Sequence, residues 1–194
     1  MNQQLSFFAH GPLTIVDDGT GCIRYIPAVL EPVAAVTLFE ELRAFAPWSE
    51  ETMWMYDHTV DVPRLVARYR SGDALPDGLA EARRRVEALL GEPLGSIGLN
   101  YYRDEHDSVA WHNDKIADMP DRPTIALLSL GAVRRMQLRT KARPRRVHAV
   151  DLEPGSLLVM SGRSQEFWEH TIAKSPRPSD ARISVAFRPS HRQV

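Results

Sequence analysis

The 194-residue sequence has a single cysteine, Cys22, and no long apolar run. One cysteine excludes an internal disulfide and any zinc site built on several cysteines. No apolar stretch approaches the roughly 20 residues of a membrane-spanning helix, and residues 1–10 lack the pattern of a secretory leader. The formal net charge is only −1, so overall charge indicates neither nucleic acid nor an anionic membrane as a partner. We therefore expect a reducing, cytoplasmic location and no membrane association.

The composition is that of one globular domain, which we assign to residues 1–194. Hydrophobic residues make up 43% and charged residues 25% of the sequence, as in ordinary folded domains. Apolar residues at helical spacing predict helices at residues 33–45 and 79–90, with Asp77 as the N-cap of the second helix. The helix side chains expected to be buried are Val36, Leu38, Phe39, Leu42, Leu79, Val86, Leu89 and Leu90.

Short β-rich runs replace the helical pattern after Pro93. They lie at residues 96–102, 125–130, 135–140, 146–152, 156–160 and 182–187. Many short strands without helices between them are typical of a β-sandwich or β-barrel. The sequence therefore predicts an α+β protein that is mainly β, with an N-terminal portion over residues 1–93 and a β-core over residues 94–194.

His112 and Asp114 lie two residues apart, so on an extended strand their side chains would point to the same side. Two imidazoles and one carboxylate can hold Fe(II) on one face and leave the opposite face open, and His170 is the candidate for the second imidazole. Each part has a plain alternative. The pair can belong to a solvent-exposed loop, and a lone histidine often serves as a hydrogen-bonded core residue. The residues alone leave this choice open.

Residues 182–188 alternate between two strand faces. Arg182, Ser184, Ala186 and Arg188 share one face, and the three residues between them are apolar. The arginines either face water on a half-buried strand or line the interior of the β-core. In the interior, two guanidinium groups could bracket a small dicarboxylate, because arginine matches a carboxylate with paired hydrogen bonds.

Several short motifs follow one another in a fixed order between residues 95 and 189. They include Asn100-x-Tyr102, His112-x-Asp114, Gly155-Ser156-Leu157, Gln165-x-x-Trp168-x-His170, and Arg182 followed six residues later by Arg188. This ordered set resembles the AlkB family of iron- and 2-oxoglutarate-dependent dioxygenases. Residues 62–65 show a weaker similarity to the same family. The single motifs are weak evidence, whereas their order is specific.

The resemblance implies a double-stranded β-helix, a relative of the jelly roll, with N-terminal helices and a nucleotide-recognition lid. It implies Fe(II) bound by His112, Asp114 and His170, with 2-oxoglutarate and O2 as co-substrates. The reaction it implies is oxidative dealkylation of N-alkylated bases, with release of formaldehyde, succinate and CO2.

The resemblance also assigns the co-substrate site. Arg182 would contact the distal carboxylate of 2-oxoglutarate, and Arg188 would lie near the carboxylate next to the metal. Asn100 and Tyr102 would add hydrogen bonds, and Ser184, on the same strand face as the arginines, completes the candidate set.

Candidate substrate contacts lie mostly near residues 62–65, the segment with the weaker similarity to the family. Trp54, Tyr56 and Tyr69 are candidate stacking partners for an extruded base, or aromatics that serve packing alone. Arg64 is interpreted either as a phosphate contact or as one half of a surface ion pair. Lys115 lies where several relatives carry acidic residues that contact the base, which leaves the preferred lesion open.

A basic segment, defined as residues 134–146, contains seven basic residues among 13 and no acidic residue. It is either a solvated hairpin or an edge that contacts phosphates. The leading hypothesis is an enzyme that dealkylates DNA bases and acts as a monomer without an obligate protein partner. The alternatives are an RNA demethylase, a hydroxylase of protein or small molecules, and a nucleic-acid-binding module on an inactive barrel.

Overall fold

Two antiparallel β-sheets pack face to face in the computed structural model, which describes residues 11–55, 58–117 and 119–189. For residues 53–55 and 58–61 it describes the backbone alone. The strands in chain order are β1 (Leu13–Asp18), β2 (Gly21–Ile26), β3 (Ser49–Met55), β4 (His58–Tyr69), β5 (Leu94–Tyr102), β6 (Val109–His112), β7 (Ile125–Gly131), β8 (Arg134–Thr140), β9 (Val147–Leu152), β10 (Leu157–Ser161), β11 (Trp168–Ile172) and β12 (Arg182–Pro189). The large sheet has the order β1-β2-β10-β7-β12-β5-β4-β3, and the small sheet has the order β6-β11-β8-β9.

Alternation along β12 explains how one strand serves two layers of the protein. Ile183, Val185 and Phe187 point to one side, where they pack with the buried faces of α1 (Pro32–Phe45) and α2 (Asp77–Leu90). Ala186 points to the other side and joins the apolar cluster between the two sheets, together with Leu138 of β8. The face that carries Arg182 and Arg188 is therefore turned toward the small sheet.

Both predicted helices are confirmed, but parts of their predicted detail are wrong. Val36 and Leu89 are 61% and 48% exposed, because α1 and α2 bury a narrower stripe than the apolar spacing predicts. Ala35 on α1 and Ala82 on α2 are buried instead. Asp77 is the first residue of α2 rather than its N-cap, and Glu41 of α1 accepts a hydrogen bond from the Gly78 N–H in the first turn (3.1 Å).

The mainly β fold is confirmed, and each of the six predicted strands lies within two residues of an observed one. The strands absent from the prediction are β1 to β4, β6 and β11. The short strands β6 and β11 mix polar with apolar residues, so they lack a clear apolar run. Strands from both sides of residue 93 share the large sheet, because β2 pairs with β10 and β4 pairs with β5. Within the described residues, none of the helices has the length and apolarity to cross a membrane.

Candidate active site

A cavity of about 670 Å³ opens between the two sheets and brings the predicted ligands together. His112 from β6, His170 from β11 and Asp114 just beyond β6 line this cavity. Its wall on the large sheet is formed by β4, β5 and β12, whose lining residues include Arg64, Asn100, Tyr102, Ser184 and Arg188. The three metal candidates and most co-substrate candidates thus face one cavity, whereas Arg182 is not among its lining residues.

The two histidines are directly opposite each other in the β6–β11 ladder. Their ring centroids are 4.3 Å apart, and His170 Nε2 lies 4.0 Å from Asp114 Oδ2. His112 Nδ1 lies 2.8 Å from the Ala110 carbonyl oxygen, which can only accept a hydrogen bond. The proton therefore sits on Nδ1, and Nε2 is left with a free lone pair, as in histidines that bind a metal.

The protonation states also suit a metal site. Burial lowers the pKa of His170 to about 4, so its imidazole is neutral at pH 7. Burial alone would raise the pKa of Asp114, but the Arg188 guanidinium outweighs it and holds the pKa below its usual value. A neutral imidazole and a carboxylate are the forms that bind metal ions.

The donor set fits Fe(II), although the side chains are not yet closed around an ion. Asp114 Oδ2 is buried and has no hydrogen-bond partner, which marks an atom that awaits a ligand. Among the described residues, no three histidine, cysteine, aspartate or glutamate side chains already have the arrangement that holds a metal. The ladder sets the two histidine backbones opposite each other.

Asp114 does not lie on the strand that carries His112. The predicted extended strand over this pair is wrong, because β6 ends at His112. The Asp114 N–H instead donates to Gln165 Oε1 at 2.9 Å. Gln165 belongs to α3 (Ser164–Phe167), which joins β10 to β11. A side chain from another element therefore fixes the backbone of this candidate ligand.

Arg182 is a fully buried cation with two unused donors. Its Nη2 donates to Ser129 Oγ at 2.9 Å, whereas Nε and Nη1 have no partner. Burial lowers the pKa of Arg182 to about 10, so it stays charged at pH 7. A buried charge without a counter-charge is costly, so the arrangement fits an anion that completes it. Tyr102, whose ring lies 5.3 Å from the guanidinium carbon, has a phenol pKa raised by burial and keeps its proton.

Arg188 contacts the candidate metal ligand directly. Its Nη2 and Nε donate to Asp114 Oδ1 at 2.6 and 3.1 Å. Gly98 on β5 permits this, because a Cβ at this position would lie 2.7 Å from Arg188 Nη1. Sequence reasoning missed Gly98, although a glycine inside a strand is a signal for close approach.

The predicted substrate residues have different outcomes. Tyr69 as a stacking partner is wrong, because its side chain is buried in the cluster beneath the helices. Lys115 is exposed and lines the cavity. Arg64 also lines it, but donates to Asn100 Oδ1 (2.7 Å) and the Ser108 carbonyl (3.3 Å) rather than forming an ion pair. The side chain of Trp54 and all of Tyr56 lie outside the described residues.

The basic segment is largely engaged within the protein. Arg134 is buried and donates to three carbonyl oxygens, those of residues 104, 107 and 173. Arg135 pairs with Asp151, and Arg146 pairs with Asp18. Arg139 pairs with Glu169 and stacks on Trp111, a cavity-lining residue that sequence reasoning had not selected (guanidinium carbon 3.8 Å from the ring centroid).

Comparison with known proteins gives consistent relatives. The sequence profile of the 2OG-Fe(II) oxygenase superfamily matches residues 67–188. Alpha-ketoglutarate-dependent dioxygenase alkB homolog 3 of Bos taurus is 31% identical over 88% of this chain and 66% of its own length. DNA oxidative demethylase ALKBH2 of Arabidopsis thaliana is 26% identical over 89% of this chain and 68% of its own length. The chain thus spans about two thirds of these relatives.

Solved structures show the same fold. OsALKBH1 superposes with a TM-score of 0.64 at 12% identity, and covers 91% of this chain and all of its own. A 2OG-Fe(II) oxygenase family oxidoreductase from Burkholderia pseudomallei gives 0.57 at 18% identity, over 89% of each chain. The jelly-roll core is therefore confirmed.

This chain belongs to the 2OG-Fe(II) oxygenase superfamily. Within it, the similarity to AlkB homologs over nearly nine tenths of the sequence assigns the chain to the AlkB family, as its motifs predict.

Proposed function

We propose that this chain is an Fe(II)- and 2-oxoglutarate-dependent dioxygenase that removes alkyl groups from N-alkylated bases in DNA. The observation that carries the proposal is that two buried charged groups of one fold have polar atoms without hydrogen-bond partners among the described residues. Asp114 has a buried oxygen without a partner, and Arg182 has two buried donors without a partner. A cation beside a dicarboxylate would satisfy both. Names of relatives that include dioxygenase and DNA oxidative demethylase support the same reaction.

His112 Nε2, Asp114 and His170 would hold the iron. Two imidazoles and one carboxylate on one face leave positions for a co-substrate and O2. Iron bound in this way, with 2-oxoglutarate and O2, supplies the oxidising power that attacks the N-alkyl group. The low pKa of His170 keeps its imidazole available to the metal at pH 7.

The arginine face of β12 would orient 2-oxoglutarate. Arg182 would donate Nε and Nη1 to the distal carboxylate, while Ser129 accepts from its Nη2. Tyr102 keeps its proton and can donate a hydrogen bond to the co-substrate. Asn100 and Ser184 line the same cavity. Arg188 donates to Asp114 Oδ1, which would leave Oδ2 as the oxygen that binds the metal.

Nucleic acid is the proposed partner. A base could enter a cavity between two sheets only after it leaves its stack in the duplex. Arg64 and Lys115 lie in the cavity lining, where positive side chains can approach a phosphate. Trp111, stacked on Arg139, offers a fixed aromatic ring in the same cavity lining as His112. Trp54 and Tyr56 remain predicted stacking partners.

The test is a formaldehyde and succinate assay with iron, 2-oxoglutarate, O2 and a panel of methylated DNA and RNA oligonucleotides. We expect formaldehyde from methylated DNA with the wild type and none with His112→Ala. His106→Ala is the matched control, because His106 is an exposed histidine outside the cavity lining.

Three results would contradict the proposal at different levels. Undiminished turnover by His112→Ala would refute the metal site. Succinate without formaldehyde from any oligonucleotide would refute the nucleic-acid substrate and favour a protein or small molecule. Faster release from RNA than from DNA would refute the choice of polymer.

A further inference from the structure

The candidate metal carboxylate lies where the β-ladder no longer controls the backbone. β6 pairs with β11 as far as His112, and Asp114 follows two residues beyond the end of the strand. A residue outside a ladder needs another partner for its N–H group if it is buried, and Asp114 is only 7% exposed. Its orientation therefore depends on whatever takes that N–H.

The Gln165 side chain accepts the hydrogen bond from the Asp114 N–H, and Gln165 makes three polar contacts in all. Its Oε1 accepts from the Asp114 N–H at 2.9 Å, and its Nε2 lies 3.7 Å from Met160 Sδ. Its main-chain oxygen accepts from Lys141 Nζ at 2.8 Å. Gln165 is 3% exposed, so water does not compete for these contacts.

Helix α3 connects this contact to the second histidine. The helix ends at Phe167 and β11 begins at Trp168, so only four residues separate Gln165 from His170. Gln165 thus binds the backbone of one candidate ligand and lies on the segment that leads into another. His170 Nε2 lies 4.0 Å from Asp114 Oδ2. A shift of α3 would change this distance.

We propose that Gln165 is a positioning residue that sets the geometry of the metal site through the backbone of Asp114. This inference rests on the proposed metal site. The amide does not touch the metal; it fixes the direction in which the Asp114 carboxylate leaves the chain, so that Oδ2 faces the two imidazoles. Partners of this outer kind typically change metal affinity by 10- to 100-fold.

The test measures Mn(II) binding to the full chain by electron paramagnetic resonance of the free ion, and the visible spectrum of the Co(II) complex. We expect Gln165→Met, which keeps the length of the side chain but removes the acceptor, to weaken Mn(II) binding roughly 10- to 100-fold and to change the Co(II) bands. Gln165→Glu keeps an acceptor oxygen and is expected to recover part of the affinity.

Two control variants remove the other contacts of the same residue. Lys141→Met removes the donor to the Gln165 main-chain oxygen, and Met160→Leu removes the sulfur with little change in volume. Both are expected to weaken Mn(II) binding less than Gln165→Met does, because the Asp114 N–H keeps its acceptor. Thermal unfolding of the metal-free variants separates a loss of fold from a loss of affinity. If Gln165→Met does not fold, Gln165→Ala takes its place with the same expected loss.

The outcomes distinguish this inference from the proposed function. Wild-type Mn(II) affinity and Co(II) bands in a folded variant lacking the acceptor would overturn the role of Gln165 and leave the metal site intact. Loss of affinity in Lys141→Met equal to that in Gln165→Met would also overturn it. A wild-type chain that binds Mn(II) no better than His112→Ala would instead refute the metal site itself.

Discussion

Arg182 combines full burial with a positive charge that no acidic side chain of the described residues neutralises within hydrogen-bonding distance. Its Nη2 has Ser129 as a partner, and the remaining two buried donor atoms have none. Burial lowers the pKa of Arg182 to about 10, which is still far above neutral pH. The protein therefore carries a desolvated charge whose cost is offset only when an anion binds.

Arg182→Met is expected to raise the 2-oxoglutarate concentration for half-saturation by about 10- to 100-fold, since a charged hydrogen bond contributes about 1.5–3 kcal/mol. The same change should leave the ligand-free fold at least as stable, because it removes an unpaired buried charge. Calorimetric titration and urea unfolding measure the two effects. Arg134→Met is the matched control: its donors are satisfied by carbonyl oxygens, so it should destabilise the fold instead. Unchanged half-saturation in Arg182→Met would remove the residue from the co-substrate site.

At this scale, residue chemistry made part of the site predictable. Imidazole, carboxylate and guanidinium groups indicate metal and carboxylate binding by their type and spacing. Gly98 signals a close approach and Gln165 belongs to one of the ordered motifs, but neither reveals its partner, because Gln165 depends on Asp114 and Gly98 on Arg188, far away in the chain. Only the fold brings these partners within reach.

Among the elements, the loop between β5 and β6 connects the strand that carries Asn100 and Tyr102 to the strand that carries His112. Asp107 is buried in this loop and accepts from the Arg103 N–H, Nε and Nη2 at 2.9, 2.8 and 3.0 Å. Arg134 of β8 donates to the Asp107 carbonyl at 3.0 Å. The loop is thus tied both to itself and to the small sheet, which fixes where β6 begins.

Asp107→Asn is expected to lower the free energy of unfolding by about 1–3 kcal/mol at pH 7, because it weakens several charge-assisted hydrogen bonds at a buried site. Burial alone would raise the pKa of Asp107, but the Arg103 hydrogen bonds outweigh it and lower the pKa. A lowered folded-state pKa gives a contribution that is full above the unfolded value of about 4 and is lost as the pH falls through the folded value.

Urea unfolding of both proteins at several pH values tests this loop. The difference in unfolding free energy between wild type and Asp107→Asn should be constant above pH 5 and shrink below pH 4. A difference that stays the same down to pH 3 would show that ionisation of Asp107 contributes nothing to the loop.

The faces of a strand were predicted correctly where polar and apolar residues alternate regularly. The prediction failed where the register of strand pairing decides which face a residue occupies. The β12 alternation predicts both of its faces, and the structure shows that the arginine side faces inward. Tyr69 shows the limit: one step along β4 reverses the face, and Tyr69 points to the helices whereas Arg68 lines the cavity. The sequence near residues 62–70 does not reveal that register.

For the whole molecule, charge distribution matters more than the net charge of −1. By sequence the basic segment is either a solvated hairpin or a phosphate contact, and in the structure Arg135, Arg139 and Arg146 are each paired with a carboxylate. Ion pairs of this kind, set by residues more than a dozen positions away, cannot be read from a local run of charges. In the exposed loop at residues 141–146, between β8 and β9, Arg145 also lies 3.6 Å from Glu169. Arg143 is the arginine of this loop with no ion pair among the described residues, so it is the one left to meet a nucleic acid.

We expect Arg143→Ser to reduce the slope of log affinity against log salt for DNA by about 1 unit, as for one lost phosphate contact. Arg135→Ser is the control, because Arg135 is held by Asp151 through two hydrogen bonds of 2.7 Å and should leave the slope unchanged. Fluorescence anisotropy over a salt series provides both slopes. Equal slopes in all three proteins would make the loop a solvated hairpin.

The most direct measurement of the central claim is a crystal structure of the protein with Mn(II) and 2-oxoglutarate. We predict one ion bound by His112, Asp114 and His170, and a distal carboxylate on Arg182 Nε and Nη1. A keto-acid bound away from Arg182, or an ion that does not contact all three side chains, would contradict it.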